Sequence, residues 1–215
     1  MVTIYLAGDS TVQTYSEAEA PQGGWGQCIA RYASGDVRFD NRAIGGRSSK
    51  TFIEEGRLDA ILADIRPRDY LWVQMGHNDA TKSRPERYTE PFTDYKTYLR
   101  QYVEGARSRQ AIPLLITPVA RLHLGEDGRF ANDFPDYCAA MKQVGKETRT
   151  TVIDLMSASL QFYEEIGFEE AKTLFMASVN GTDYTHFTRK GADAVAQLLA
   201  RTIKHEVAAL SRYFL

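Results

Sequence analysis

The chain has 215 residues, of which 43% are hydrophobic, so it can bury the core of a single domain spanning residues 1–215. Its 26 basic and 28 acidic side chains give a formal charge of -2, with no long run of like charge. This balance excludes the electrostatic surface of a nucleic-acid or membrane-surface protein, and it predicts a small-molecule or glycan partner.

The N-terminal stretch MVTIYLAGDS lacks the basic segment, the long apolar segment and the cleavage site of a secretory signal. It predicts a cytoplasmic protein, although a secreted protein whose signal had been removed would begin in the same way. No apolar stretch approaches the roughly 18 residues of a membrane span. Cys28 and Cys138 each lie in an apolar series with helical spacing, so both are predicted to be reduced core thiols.

Short apolar runs rich in β-branched and aromatic residues alternate with stretches of helical periodicity. The runs predict strands at 2–7, 37–41, 70–75, 112–117 and 151–155. The periodic stretches include 91–110, with Phe92 on its apolar face, and 188–206, whose helix begins at Thr188 or Arg189. Alternation of this kind needs crossover connections, so we expect an α/β fold with a mostly parallel sheet covered by helices on both faces.

Three segments are predicted to be loops that line a ligand crevice. They are 76–90 and 118–132, each of which follows a strand, and 177–187, which precedes the last helix. In an open parallel sheet the crevice lies outside the carboxyl ends of the strands.

Ser10 follows the first strand directly, in GDST, and a rigid element would therefore deliver it to that crevice. A serine hydroxyl becomes a nucleophile only when a base removes its proton. Of the four histidines, His186 is the best candidate because Asp183, three residues earlier, can fold back to orient it. His205 is interpreted as a helix-terminus residue, and His123 has no fixed acid near it in the sequence.

Acyl transfer also needs hydrogen-bond donors for the oxyanion. Gly45 in NRAIGGRSS offers a backbone N–H without an obstructing side chain, and Asn78 in GHND offers a side-chain amide. The alternative for Ser10 is an ordinary turn or helix-capping role. Asp9, Asp79, His77 and His186 show no metal-ligand spacing, so neither a metal nor another cofactor is predicted.

Together these residues carry a resemblance. GDST at 8–11, Gly45 in NRAIGG, Asn78 in GHND and DYTH at 183–186 resemble the four sequence blocks of the SGNH hydrolases, also called GDSL esterases. The resemblance implies a flavodoxin-like three-layer α/β/α sandwich with a five-stranded parallel sheet of order 2-1-3-4-5. It also implies roles for the site residues: Ser10 as nucleophile, His186 as general base and acid, Asp183 as its orienter, and an oxyanion hole made of the N–H groups of Ser10 and Gly45 with the Asn78 amide.

A narrower likeness points to the rhamnogalacturonan acetylesterase branch. It is carried by GDSTVQ, GGWGQ at 23–27, NRAIGGRSSKTF at 41–52, GHND and TPVAR at 117–121. The likeness implies a serine esterase that removes O-acetyl groups from pectin-type oligosaccharides. Alternatives are an esterase for acetylated xylan, short acyl lipids or thioesters, or a carbohydrate-binding module without activity.

Three side chains are predicted to contact substrate. Arg47 follows the Gly45 loop and Arg121 follows the fourth strand, and a guanidinium suits a uronate carboxylate. His77 is expected to shape or hydrogen-bond the pocket wall. The interpretation of Lys82, Arg84 and Arg87 in loop 76–90 is left open, as is the oligomeric state, for which a monomer fits the sequence.

Overall fold

The structure, a computed structural model, describes residues 1–215 and is built on a five-stranded parallel sheet. In chain order its strands are β1 (Val2–Gly8), β3 (Val37–Asn41), β4 (Tyr70–Gln74), β5 (Ile112–Ile116) and β6 (Thr151–Ile153). Their spatial order is β3-β1-β4-β5-β6, which confirms the predicted order 2-1-3-4-5. A separate antiparallel pair joins β2 (Gln22–Gly23) to β7 (Phe187–Thr188).

Helices cover both faces of the sheet. They are α1 (Ser49–Glu54), α2 (Arg57–Asp64), α3 (Lys96–Ser108), α4 (Pro135–Thr148), α5 (Leu155–Ile166), α6 (Phe168–Thr173), α7 (Ala177–Asn180), α8 (Arg189–Glu206) and α9 (Ala208–Ser211). Helices α3 and α4 pack on β4, β5 and β6, with α1 and α2 beside α3, whereas α5 and α8 pack together on the other face. The predicted three-layer α/β/α fold is therefore confirmed.

The inner strands β1, β4 and β5 have mostly apolar sequences because both faces of the sheet are covered. Every residue of β4 is buried, and so are the last five residues of β1. A burial pattern of this kind leaves no polar face, which is why the runs do not alternate between apolar and polar residues. No helix is long and apolar enough to cross a membrane.

Two predicted elements differ in detail from the structure. The helix predicted from residue 91 becomes α-helical only at Lys96, because Tyr95 N–H bonds to Glu90 O in a wide turn that starts at Pro91. The wide turn shifts the helical phase, and Phe92, expected on the buried face, is 45% exposed. The segment 177–187, predicted as a loop, contains α7 and the first residue of β7.

Other expectations are confirmed. Thr188 caps α8 by accepting a hydrogen bond from Gly191 N–H at 3.2 Å, so the helix begins at Arg189. Cys28 and Cys138 are free and buried, and burial raises the pKa of both thiols. Both are therefore protonated core side chains at neutral pH.

Candidate active site

Ser10 lies on a tight turn just beyond the carboxyl end of β1. Asp9 holds this turn: its carboxylate accepts hydrogen bonds from Thr11 N–H at 2.9 Å and Thr11 Oγ1 at 2.8 Å, and its carbonyl accepts from Val12 and Gln13. The turn crowds against the strand it leaves, since a Cβ on Gly8 would lie 2.6 Å from Val12 Cγ2. These contacts restrain the backbone at Ser10, and the serine itself is partly exposed.

His186 lies within hydrogen-bond distance of Ser10, although the two residues are 176 positions apart in sequence. His186 Nε2 is 3.0 Å from Ser10 Oγ, and His186 Nδ1 is 2.8 Å from Asp183 Oδ2. The other oxygen of Asp183 accepts the N–H groups of Thr185 and His186, each at 3.0 Å. The structure therefore brings the three predicted residues into one hydrogen-bonded series, from Ser10 through His186 to Asp183, which is the arrangement that nucleophilic catalysis requires.

Asp183 is ionised at neutral pH. Partial burial opposes its ionisation, but the hydrogen bonds from the His186 backbone and ring, and from Thr185, outweigh burial and lower the pKa of this carboxyl. An ionised Asp183 accepts the Nδ1 proton of His186, which leaves Nε2 free to accept the hydroxyl proton of Ser10.

The small β2–β7 sheet explains how the ring of His186 reaches the serine. Phe187, the next residue, pairs with Gly23, and Arg189 N–H bonds to Pro21 O at 2.7 Å. The segment that carries Gly23 is itself fixed to the nucleophile turn by Trp25 N–H, which bonds to Thr11 O at 2.9 Å. This connection between the two halves of the site had no signal in the sequence.

Two of the predicted oxyanion donors, the N–H groups of Ser10 and Gly45, lie beside the nucleophile, and the third, Asn78, is bonded to the loop that carries Gly45. The backbone N–H of Ser10 has no partner in the protein. A Cβ on Gly45 would lie 3.5 Å from Ser10 Cβ, so this glycine lets the backbone approach the nucleophile closely. Asn78 uses one amide proton to bond to Arg47 O at 2.9 Å, which fixes the plane of its amide and leaves the second proton for a ligand.

One of these donors is already occupied. The N–H of Gly45 donates to the side-chain oxygen of Gln13, three residues after the nucleophile. A substrate oxygen entering the hole must replace that contact. Sequence reasoning missed Gln13, because a glutamine just after GDST carries no signal that separates this contact from a solvated side chain.

The side chain of Arg47 is bonded to groups within the protein. Its Nε lies 3.0 Å from Glu55 Oε2 in an ion pair, and its Nη1 donates to Gly45 O at 2.9 Å. The guanidinium thus holds the peptide of the oxyanion loop, and Arg47 acts as a positioning residue for Gly45. Its contact with a substrate carboxylate stays a prediction.

His77, predicted to shape or hydrogen-bond the pocket wall, makes its hydrogen bonds inside the protein. The ring is only 5% exposed, with Nδ1 3.1 Å from Asp9 Oδ2 and Nε2 3.0 Å from Val119 O. Both ring nitrogens are engaged inside the protein. Burial opposes ionisation of Asp9, but the charge and hydrogen bond of His77, together with the Thr11 bonds, lower the pKa of this carboxyl. Through its bonds to Asp9 and Val119, the ring of His77 connects the nucleophile turn to the loop that follows β5.

Asp79 is a fully buried carboxylate that ties neighbouring loops together. It accepts hydrogen bonds from Ser49 N–H and Oγ, at the start of α1, and from Thr89 Oγ1 at 2.8 Å. Burial raises its pKa to about 6, against the lowering effect of the Ser49 and Thr89 bonds. No group of three or more His, Cys, Asp and Glu side chains lies together in an arrangement that could hold a metal ion.

A cleft of about 580 Å³ opens beside His186. Most of its lining residues are polar or charged, although apolar atoms make up the larger share of its exposed surface. The lining includes Arg121, His123, Asp133, Asp183, Tyr184 and His186. The guanidinium of Arg121 lies 4.8 Å from the centre of the Phe134 ring, and its buried Nε has no hydrogen-bond partner. Arg121 is therefore placed, as predicted, where it can reach a ligand in the cleft.

Comparison with known proteins agrees with this geometry. The family model of the GDSL-like lipase/acylhydrolases matches residues 4–199. The chain is 61% identical to "Probable rhamnogalacturonan acetylesterase YesY" of Bacillus subtilis (strain 168), over 94% of this chain and 92% of the relative. It is 39% identical to rhamnogalacturonan acetylesterase RhgT of the same organism, over 94% of this chain and 90% of that one.

A solved structure shares the architecture. Protein YxiM of Bacillus subtilis superposes with a TM-score of 0.86 at 31% identity, covering 97% of this chain and 57% of the longer YxiM chain. The family match spans both ends of the site described above, from the nucleophile turn to the segment that carries the histidine. The chain belongs to the GDSL-like lipase/acylhydrolase family, the SGNH hydrolases, and is a serine esterase.

Proposed function

We propose that this esterase removes O-acetyl groups from pectin-type (rhamnogalacturonan) oligosaccharides through a covalent acyl-enzyme. The observation that carries the proposal is the hydrogen-bonded line from Ser10 through His186 to Asp183, which meets a cleft containing an unpaired guanidinium. The names of the relatives at 61% and 39% identity support the choice of substrate.

In the first step Ser10 Oγ attacks the acetyl carbonyl carbon while His186 Nε2 takes the hydroxyl proton. The carbonyl oxygen becomes an oxyanion beside Ser10 N–H, Gly45 N–H and the free amide proton of Asn78, and it replaces the Gln13 oxygen at Gly45. Collapse of this intermediate breaks the bond between the acetyl carbon and the sugar oxygen. His186 gives its proton to that oxygen, and the deacetylated sugar leaves.

In the second step water attacks the acetyl-serine. His186 Nε2 takes a proton from the water, the same donors stabilise the second oxyanion, and the proton then returns to Ser10 Oγ as acetate leaves. Asp183 stays ionised throughout and stabilises the charged ring. Every proton is transferred among water, serine, histidine and the sugar oxygen, so the proposed route uses no cofactor and should persist in a chelating buffer.

The cleft offers a charged, hydrophilic substrate a cation to bind. Most of its lining residues are polar or charged, and Leu122 and Tyr184 are the two hydrophobic ones. Arg121 makes no hydrogen bond and no ion pair within the protein, and a guanidinium in that state suits the carboxylate of a uronic acid.

The experiment that tests the proposal follows acetate release by NMR from two matched substrates, acetylated rhamnogalacturonan fragments and acetylated xylo-oligosaccharides. We expect the wild-type enzyme to release acetate at least about tenfold faster from the uronate-containing fragments than from the xylo-oligosaccharides. Ser10→Ala should release no acetate from either, and intact-protein mass after exposure to an activated acetate ester should show an added acetyl group only on the wild type.

A preference for the acetylated xylan fragments would reject the proposed substrate and leave the chemistry intact. Hydrolysis by Ser10→Ala at the wild-type rate would reject the chemistry itself. A cytoplasmic location is part of the proposal, and the two free thiols support it.

A further inference from the structure

Arg87 is a second guanidinium without a partner near the acyl site. Its side chain makes no hydrogen bond and no ion pair, and its Nε is buried without an acceptor. A buried donor in this state destabilises the protein unless something satisfies it. Arg87 and Arg121 share this condition, whereas Arg189, whose Nε is also unpaired, bonds through its other nitrogens to Glu17 and Ser16.

The position of Arg87 connects it to the oxyanion loop. A Cβ on Gly46 would lie 3.9 Å from Arg87 Nη1, and Gly46 follows Gly45, the residue that approaches Ser10. Gly46 has a φ of 79°, a left-handed conformation that favours glycine. Arg87 thus lies on the oxyanion side of Ser10, and Arg121 on the histidine side.

The loop that carries Arg87 is anchored at both ends. Near its start Thr81 N–H bonds to Asn78 O at 3.1 Å, and near its end Thr89 N–H bonds to Asp79 O at 3.1 Å. Thr89 Oγ1 reaches the buried carboxylate of Asp79 as well. The backbone on which the guanidinium stands is therefore fixed to the end of β4, next to Asn78, and the side chain is presented from a rigid base.

The two neighbouring arginines each lie close to a carboxylate. Arg47 pairs with Glu55 at 3.0 Å, and Arg84 lies 3.9 Å from Glu86. Of these three arginines, Arg87 alone has no carboxylate within ion-pair distance. A guanidinium presents two parallel N–H donors, a geometry that fits a carboxylate and that an ammonium group does not reproduce.

We infer that Arg87 binds a carboxylate of the glycan substrate on the oxyanion side of the nucleophile, and so makes this esterase select acetylated uronic-acid chains over neutral ones. The inference rests on the proposed function. Because Arg121 supplies a second unpaired cation on the opposite side, the site is built for a chain with carboxylates on both sides of the acetylated position rather than for one isolated sugar.

The test varies both the protein and the substrate. Wild type, Arg87→Gln and Arg87→Lys are compared on acetylated galacturonate-containing oligosaccharides, with free carboxylates and as their methyl esters, and on p-nitrophenyl acetate. Arg84→Gln, in the same loop, is the matched control. We expect Arg87→Gln to lower kcat/KM on the free acid by roughly ten- to a hundredfold, from the value of a charge-assisted hydrogen bond.

On the methyl ester and on p-nitrophenyl acetate the same variant should stay within twofold of wild type. Arg87→Lys should recover part of the lost activity on the free acid, and Arg84→Gln should change nothing. An equal loss of activity on all three substrates would show that Arg87 only supports the loop, and it would overturn the inference. No loss on the free acid would overturn it too.

Wild-type activity separates this inference from the proposed function. If wild type acts on the free-acid substrate and Arg87→Gln does so equally well, only the role of Arg87 fails. If wild type does not deacetylate the galacturonate oligosaccharides at all, the proposed function fails, and the inference fails with it.

Discussion

Replacing Asn78 by alanine removes one oxyanion donor with little effect on the fold. In the structure one amide proton of Asn78 bonds to Arg47 O at 2.9 Å, and only the second is available to the oxyanion. Loss of a donor of this kind typically lowers turnover by about 100- to 1000-fold, or roughly 2.7–4 kcal/mol of transition-state stabilisation. We expect kcat on p-nitrophenyl acetate to fall by that factor, with a smaller change in KM.

The effect on stability should be much smaller. Asn78→Ala loses one net hydrogen bond, worth about 1 kcal/mol, which corresponds to a fall in Tm of roughly 2–4 °C for a chain of this size. Asn132→Ala is a matched control, because Asn132 also bonds one backbone group, Phe134 N–H at 2.7 Å. The control should lose similar stability and keep its activity. If kcat of Asn78→Ala stayed within threefold of wild type by steady-state assay, the assignment of Asn78 to the oxyanion hole would be refuted.

Three further predictions follow from the same geometry. Asp183→Asn should lower kcat by about 10⁴-fold, since the asparagine no longer holds His186 in the productive tautomer; a steady-state loss under tenfold would contradict that role. Gln13→Ala frees the Gly45 N–H, so kcat/KM should rise by roughly two- to tenfold, the value of one net hydrogen bond; a fall would show instead that Gln13 supports the loop. Asp79, with its pKa raised from 3.8 to about 6, binds its proton more tightly in the folded chain. Its contribution to the free energy of unfolding is therefore present below about pH 4 and is lost as pH rises through about 6, by up to about 3 kcal/mol. Urea unfolding from pH 4 to 7 should show this decline in the free energy of unfolding of the wild type and a smaller decline in Asp79→Asn. An equal decline in both proteins would contradict the prediction.

Much of the site could be predicted because its parts are local. Asp183 and His186 are three residues apart, and a single turn brings their side chains together. Ser10 directly follows an apolar run whose end must lie at the edge of a parallel sheet. Gly45 and Asn78 follow strands in the same way. An unobstructed backbone N–H at the first and a side-chain amide at the second both suit oxyanion stabilisation.

The substrate-contacting residues were harder to predict, because the function of an arginine depends on what neutralises it. Arg47 and Arg87 have the same chemistry and both lie in loops near the nucleophile. Glu55 pairs with the first, and nothing in the protein pairs with the second. The position of Glu55 relative to Arg47 depends on how α1 ends, which residue spacing does not specify. The partners of His77 could not be predicted for a similar reason, since Asp9 and Val119 O meet its ring only in the folded chain.

The sequence by itself determined the strand positions, the parallel sheet and the residue types of the acyl-transfer site, since these follow from local periodicity and from motifs a few residues long. Only the tertiary structure decided which charges are free and how the two distant halves of the site meet. The contact between His186 and Ser10 depends on the pairing of β7 with β2, and on the bond from Trp25 to the nucleophile turn. Such contacts join segments far apart in the chain, and burial and pairing in three dimensions select them rather than any local pattern.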